Sequence, residues 1–363
     1  MTTTTRQLLG RLRLQSQLVS PTRPEFTSPV DVVRWMTAIQ AQDFLGAKWA
    51  VGLRLPGSTD DEIVAALADR SIVRSWPMRG TLHFVTAEDL HWMLELTRER
   101  MIKRSASNFA GEGLTTAVLE RVGDGAGAAL AGGRTLTRDA LYEVLAECGV
   151  STVGQARYHA LWYLCQIGLL CMGPPQGKSQ TFVLLDEWVP RPRRLERDEA
   201  LGEFALRYFR SHGPATDRDF SWWSSLTLTE ARVGLAGARQ QLESLTVDAI
   251  DYYFSPGLPE EPEASATRLL PGFDEYLLGY TDRSVALTEE HAPLVFPGKN
   301  GMFLPTIVVD GAVAGVWKRT STSKKVTFDL QPFTPLTARE ASSVHAAAEE
   351  YAKFVGLEPS VPA

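Results

Sequence analysis

Between positions 28 and 39 apolar side chains recur at Val32, Met36 and Ile39, the period of a helix with one buried face. Ser28 suits the N-cap, Pro29 the first helical position and Asp31 the first turn, so the spacing predicts a helix beginning there. The period fails at Gln40-Ala41-Gln42. Residues two apart point about 200° apart around a helix, but the same way along an extended chain. We therefore place both glutamines just past the helix end, with Ala41 turned inward and two neutral carboxamides aimed at one spot. On spacing alone such a pair also reads as solvated surface or a backbone cap. The apolar flanks weigh against that, because amides set beside a core find partners.

Further along, alternation over 49–55 predicts a strand closed by Pro56-Gly57. Thr59-Asp60-Asp61-Glu62 is a capping box opening a helix to Ala68. The stretch 72–85 reads as a β-ribbon bent near Pro77 and Gly80. It precedes a helix that ends in the basic cluster Arg98, Arg100, Lys103 and Arg104. Thr137 opens a helix over 138–147, stopped by Gly149, and a second covers 153–167 with Tyr158, Leu161, Trp162 and Cys165 at helical spacing. A hairpin with a polar tip follows, 173–180, carrying Lys178. Helix, helix, then hairpin is the order of a winged helix, a helix-turn-helix variant that meets DNA with its second helix or its wing.

The order then nearly repeats. A helix is expected over 199–212, capping boxes at Thr216 and Thr227 open two more, and 251–254 runs extended. Strands over 304–309, 312–318 and 325–330, the first two joined by Asp310-Gly311, precede a last helix capped by Thr337. The expected class is α+β, mainly helical: three tandem winged-helix units plus a small C-terminal antiparallel sheet with a helix. The divisions are 1–110, with the glutamine motif, 111–190, 191–260 and 261–363.

Composition narrows the function classes. With 363 residues and 44% hydrophobic content the chain can bury a large core, and 22% charge is too little for wholesale disorder. Its apolar runs are too short or too polar for a bilayer, and no signal-peptide core opens it, so we expect a cytoplasmic, nucleoid-associated protein with no membrane partner. Cys148, Cys165 and Cys171 lack C-x-x-C spacing and fit a reducing compartment. A net charge of −6 argues against a uniformly basic DNA-binding surface. It leaves local basic faces open at 98–104, at 191–197 and around Lys318, Arg319, Lys324 and Lys325. The histidines lack paired ligand spacing and no phosphate-binding glycine pattern occurs, so neither a metal nor another cofactor is expected.

Three strings together resemble the AlkZ/YcaQ-type family of winged-helix bacterial DNA glycosylases: Ile39-Gln40-Ala41-Gln42, Arg79-Gly80-Thr81-Leu82-His83, and Leu270-Pro271-Gly272-Phe273-Asp274-Glu275-Tyr276-Leu277-Leu278-Gly279-Tyr280. The likeness spans nearly the whole chain. In that family a Gln-x-Gln signature, or Gln-x-Asp in one branch, carries the chemistry. The resemblance implies that Gln40 and Gln42 are catalytic and that the branch is the one associated with self-resistance to DNA-alkylating natural products. It also implies a C-shaped molecule holding DNA in its concave channel without full base flipping. The expected substrate is double-stranded DNA carrying alkylated purines, as bulky adducts or interstrand crosslinks, and the protein is expected to act as a monomer.

The chemistry suits the residues. An N7-alkylated purine is already cationic and leaves without a strong general acid. Two preorganised amide oxygens can orient a water and stabilise the sugar oxocarbenium by dipole. Removing one such dipole typically costs ~10²–10³ in rate. Neither amide takes up a proton usefully at neutral pH, so the base component is weak. Asp43 points away from Gln42 in an extended segment and reads as structural. Without a lysine beside the motif a Schiff-base step is unsupported, which leaves a monofunctional hydrolase. For DNA contact the candidates are Arg79, His83, Lys178, Arg100, Lys103 and Arg104. Against each stands a blander role: strand structure for His83, surface ion pairing for Arg79, a mobile hairpin for Lys178, a solvated helix face for the cluster. Trp76, Asp274 and Tyr276 read as fold-forming. The rival to a glycosylase is a regulator or drug-sequestering protein of the same architecture without catalysis.

Overall fold

Short side-chain caps set several helix starts where the sequence placed them. Thr137 accepts the Ala140 N–H at the head of Arg138–Glu147, and Thr216, Thr227 and Thr337 each close a reciprocal capping box. The computed structural model describes residues 5–20, 26–177, 179–259, 267–298 and 301–361. The chain is α+β and divides into two units, one built from Met1–Val64 with Leu201–Ala363, the other from Ala65–Ala200.

In the Ala65–Ala200 unit, strands Ile72–Met78 and Thr81–Thr86 form an antiparallel ribbon. Its turn is made by Arg79 and Gly80, both at positive φ (55° and 69°). The register shifts between Ser75 and Met78, where Pro77 removes a ladder donor. Helices Arg138–Glu147 and Ala156–Gln166 precede the hairpin Leu170–Gln176 with Ser179–Leu184. Two-residue strand Leu136–Thr137 pairs on its outer edge. Trp76, Leu141, Leu161 and Phe182 meet in one core, so Trp76 is core, as its sequence context suggested.

The other unit ends in a sheet ordered Glu358–Ser360, Lys325–Pro332, Ala312–Ser321, Thr306–Val309, Arg268–Leu270. The first and last of these strands were not anticipated: three residues each give too little alternation to register. Two buried indoles fix the Arg268–Leu270 strand, Trp49 donating to the Leu269 carbonyl (2.7 Å) and Trp317 to that of Leu270 (2.8 Å). That strand runs directly into the 270–280 string.

One expectation fails. Residues 49–55, anticipated as a strand, belong to helix Phe44–Arg54. Every residue from Gly46 to Arg54 is buried, so the helix has no polar face and shows no helical period. A Cβ on Gly52 would lie 2.3 Å from the Phe354 ring, which explains a glycine inside that helix.

Candidate active site

Helix Pro29–Met36 carries its Ser28 N-cap, with Asp31 accepting the Ser28 N–H at 3.1 Å, and buries Val32, Val33 and Met36. It stops at Thr37, which takes a positive φ of 68°. The next helix starts at Phe44 with Asp43 as N-cap. Between them lies a short non-helical segment holding the strand Ile39–Gln40. Both glutamines therefore sit past the helix end, as the broken period required. Ala41 is fully buried, Gln40 is 8% exposed, and Gln42 is exposed. The two amides thus differ in setting, one in the wall of the protein and one at its surface.

Asp43 stands over the first turn of the helix it caps without a side-chain bond to it. Its Oδ2 sits 2.5 Å from where a Cβ on Gly46 would be, so the glycine leaves room for the carboxylate over the first turn. A negative charge there is favoured by the helix dipole.

The residue behind Gln40 comes from far along the chain. Glu275, 1% exposed, accepts the Gln40 backbone N–H on Oε1 (3.1 Å) and the Trp223 indole N–H on Oε2 (2.8 Å). His212 Nε2 lies 3.7 Å from that second oxygen, its ring stacked on Tyr208 at 4.8 Å. The neighbours of Glu275 lock its position. Asp274 caps the short helix Glu275–Leu278 through the Tyr276 N–H. It also takes a two-pronged ion pair from the fully buried Arg54 guanidinium, 2.9 Å on each oxygen. Tyr276 donates to the Gly311 carbonyl (2.5 Å) and Tyr280 to that of His212 (2.6 Å). Burial pushes both phenols far above their ordinary range, so they stay neutral donors.

Asp274 and Tyr276 organise the fold, as read from the sequence. Glu275 escaped that reading. Its signal was there, a carboxylate followed by Tyr276-Leu277-Leu278, because a charge in apolar company must be paired.

In the Ala65–Ala200 unit, His83 is fully buried. Its Nδ1 is 2.9 Å from the Thr81 carbonyl and its Nε2 is 2.9 Å from an Arg79 guanidinium nitrogen. The geometry therefore puts His83 behind Arg79, which is partly exposed at the ribbon turn. Arg100, Lys103 and Arg104 are all exposed at the C-terminal end of helix Leu90–Arg104. Lys178 lies outside the described residues. Among the described residues no cluster of histidine, cysteine or carboxylates could hold a metal ion, and no helix is long and apolar enough to cross a membrane.

The interstrand DNA cross-link repair glycosylase of Streptomyces sahachiroi is 30% identical over 355 residues, covering 92% of this chain and 94% of the relative. The solved structure of the Streptomyces sahachiroi DNA glycosylase AlkZ matches with a TM-score of 0.81 at 28% identity, covering 100% of both chains. The family profile described as DNA glycosylase AlkZ-like matches residues 33–354, a span that contains both glutamines, the Arg79–His83 turn and the Glu275 string. On that match, end to end in sequence and fold, the chain belongs to the AlkZ-like DNA glycosylase family.

Proposed function

We propose that this protein is a monofunctional glycosylase that hydrolyses the N-glycosidic bond of N7-alkylated purines in double-stranded DNA, including bulky adducts and interstrand crosslinks. The reading rests on one observation: Gln40-Ala41-Gln42 is held outside both flanking helices, with Gln40 fixed from behind by Glu275 and Gln42 left at the surface. The Streptomyces sahachiroi relative carries crosslink repair in its name, and we extend that substrate class to this chain.

In the reaction the bond between C1′ and the purine N9 breaks. Its electron pair stays with the base and neutralises the cationic ring. The sugar is left as an oxocarbenium ion, a water oxygen bonds to C1′, and its proton passes to solvent. The carboxamide oxygens of Gln40 and Gln42 stabilise the sugar cation and align the water. Lys48, close to the motif in sequence, is buried and paired with Asp60 at 2.5 Å, so it does not compete with water. We read helices Arg138–Glu147 and Ala156–Gln166 with their hairpin as one winged helix of a tandem array. Arg79, oriented by His83, and the group Arg100, Lys103 and Arg104 supply phosphate contacts. The protein works as a monomer.

The test uses a defined duplex with one 7-methylguanine and a second with an N7-linked interstrand crosslink. The expected result is free alkylated base, an abasic strand cleaved by hot alkali, and no protein–DNA adduct trapped by borohydride. Tight, salt-sensitive DNA binding without base release from either substrate would contradict the enzyme reading and leave a DNA-binding regulator.

A further inference from the structure

We infer that Glu275 is a positioning residue for the glycosylase reaction: its buried carboxylate holds the Gln40 peptide, and through it the Gln40 amide, in the reactive orientation. The inference rests on the reading of Gln40 given above.

The two ends of this contact are 235 residues apart in sequence. Gln40 lies in a two-residue strand, and a strand that short fixes a peptide plane only weakly. The Gln40 N–H is held by a charge-assisted bond to a group that is itself immobile. Glu275 sits on a helix capped by Asp274, and Asp274 is clamped by Arg54. The second oxygen of Glu275 is held by the Trp223 indole, whose ring packs 5.0 Å from both His212 and Tyr208. A carboxylate is the one side chain of this size that accepts on both oxygens and donates on neither. The site uses this: two N–H groups converge on it from different parts of the chain. Because Ala41 is fully buried, a rotation of the Gln40 peptide is not absorbed by the next residue; it moves the Gln40 side chain. A displacement of about 1 Å in a positioning group costs on the order of 10²-fold in rate.

Glu275→Gln tests this with little change in volume. A glutamine presents one acceptor and one donor, so either the Gln40 N–H or the Trp223 N–H must face an amide NH₂. In single-turnover assays on 7-methylguanine duplex we expect base release slowed about 10–100-fold, with affinity for abasic-site DNA within about twofold of wild type. Adding Trp223→Phe removes the mismatched donor, lets the glutamine oxygen face Gln40, and is expected to recover most of the lost rate. Trp223→Phe alone, which keeps the Gln40 bond but frees the second carboxylate oxygen, should slow base release less than Glu275→Gln does. With ¹⁵N-glutamine labelling, the Gln40 amide proton, identified by its loss in Gln40→Ala, should move upfield in Glu275→Gln and return in the double variant.

Wild-type base release by Glu275→Gln, with Gln40→Ala slow, overturns the positioning role and leaves the glutamine chemistry standing. Wild-type release by Gln40→Ala overturns the glutamine chemistry itself. If Glu275→Gln fails to fold, the double variant carries the test. A double variant that folds but stays as slow as Gln40→Ala contradicts the role.

Discussion

The two charged regions of this protein, the Asp274–Glu275 hub and the basic end of helix Leu90–Arg104, differ in how their charges are held. In the hub, Arg54, Asp274 and Glu275 are almost wholly out of water, and each is engaged by groups at fixed distances. On the helix end, Arg100, Lys103 and Arg104 are exposed. Buried charges in a low-dielectric setting fix geometry and tolerate little change. Exposed ones exert a screened, long-range attraction that is nearly indifferent to a side chain's exact place. In the reading proposed above the contrast separates precision from affinity: the hub holds the glutamine segment, and the helix end is proposed to attract a polyanion.

The sharpest way to break the comparison is to remove one partner of the buried pair. Arg54→Ala strands Asp274 without its guanidinium and should destabilise the protein by about 3–5 kcal/mol, read as a lowered denaturation midpoint. Replacing both residues with apolar ones of similar volume should recover much of that loss. Next in size is Gly279→Ala. The added Cβ would lie 2.7 Å from a His212 ring carbon and 2.7 Å from the Glu275 carbonyl, and should destabilise by about 1–3 kcal/mol. A stability unchanged by either variant would remove the claim that the hub is rigid.

On the other side of the comparison, Arg100→Ala/Lys103→Ala/Arg104→Ala should leave the melting temperature nearly unchanged. It should reduce the magnitude of the negative slope of log affinity against log salt by about one for each phosphate no longer neutralised. An unaltered salt dependence would exclude this helix end from the DNA interface. The smallest effect belongs to an ordinary cap. Thr216→Ala loses the bonds to the Asp219 backbone and carboxylate at the head of helix Asp217–Ser224, and should destabilise by about 1 kcal/mol without changing base release.

The same contrast explains what could be read from the sequence. Capping boxes, the Asp310-Gly311 hairpin and the basic run are local signals. They lie within a few residues of one another and came through intact. So did the position of Gln40 and Gln42, since a broken apolar period is also local. The hub depends on pairings such as Arg54 with Asp274 and Gln40 with Glu275, whose members are 220 and 235 residues apart. Nothing in either neighbourhood names the other. Helix Phe44–Arg54 was missed for a related reason: burial on all sides erases the period that identifies a helix. His83 was placed correctly on its strand, yet its burial behind Arg79 follows from tertiary packing that alternation cannot report.

The most direct test of the central claim is the single-turnover rate of 7-methylguanine release by Gln40→Ala and Gln42→Ala, alongside their affinity for abasic-site DNA. Two preorganised amides acting on the sugar cation predict a rate loss of ~10²–10³ in each variant with affinity nearly unchanged. Release at the wild-type rate by both variants would contradict it.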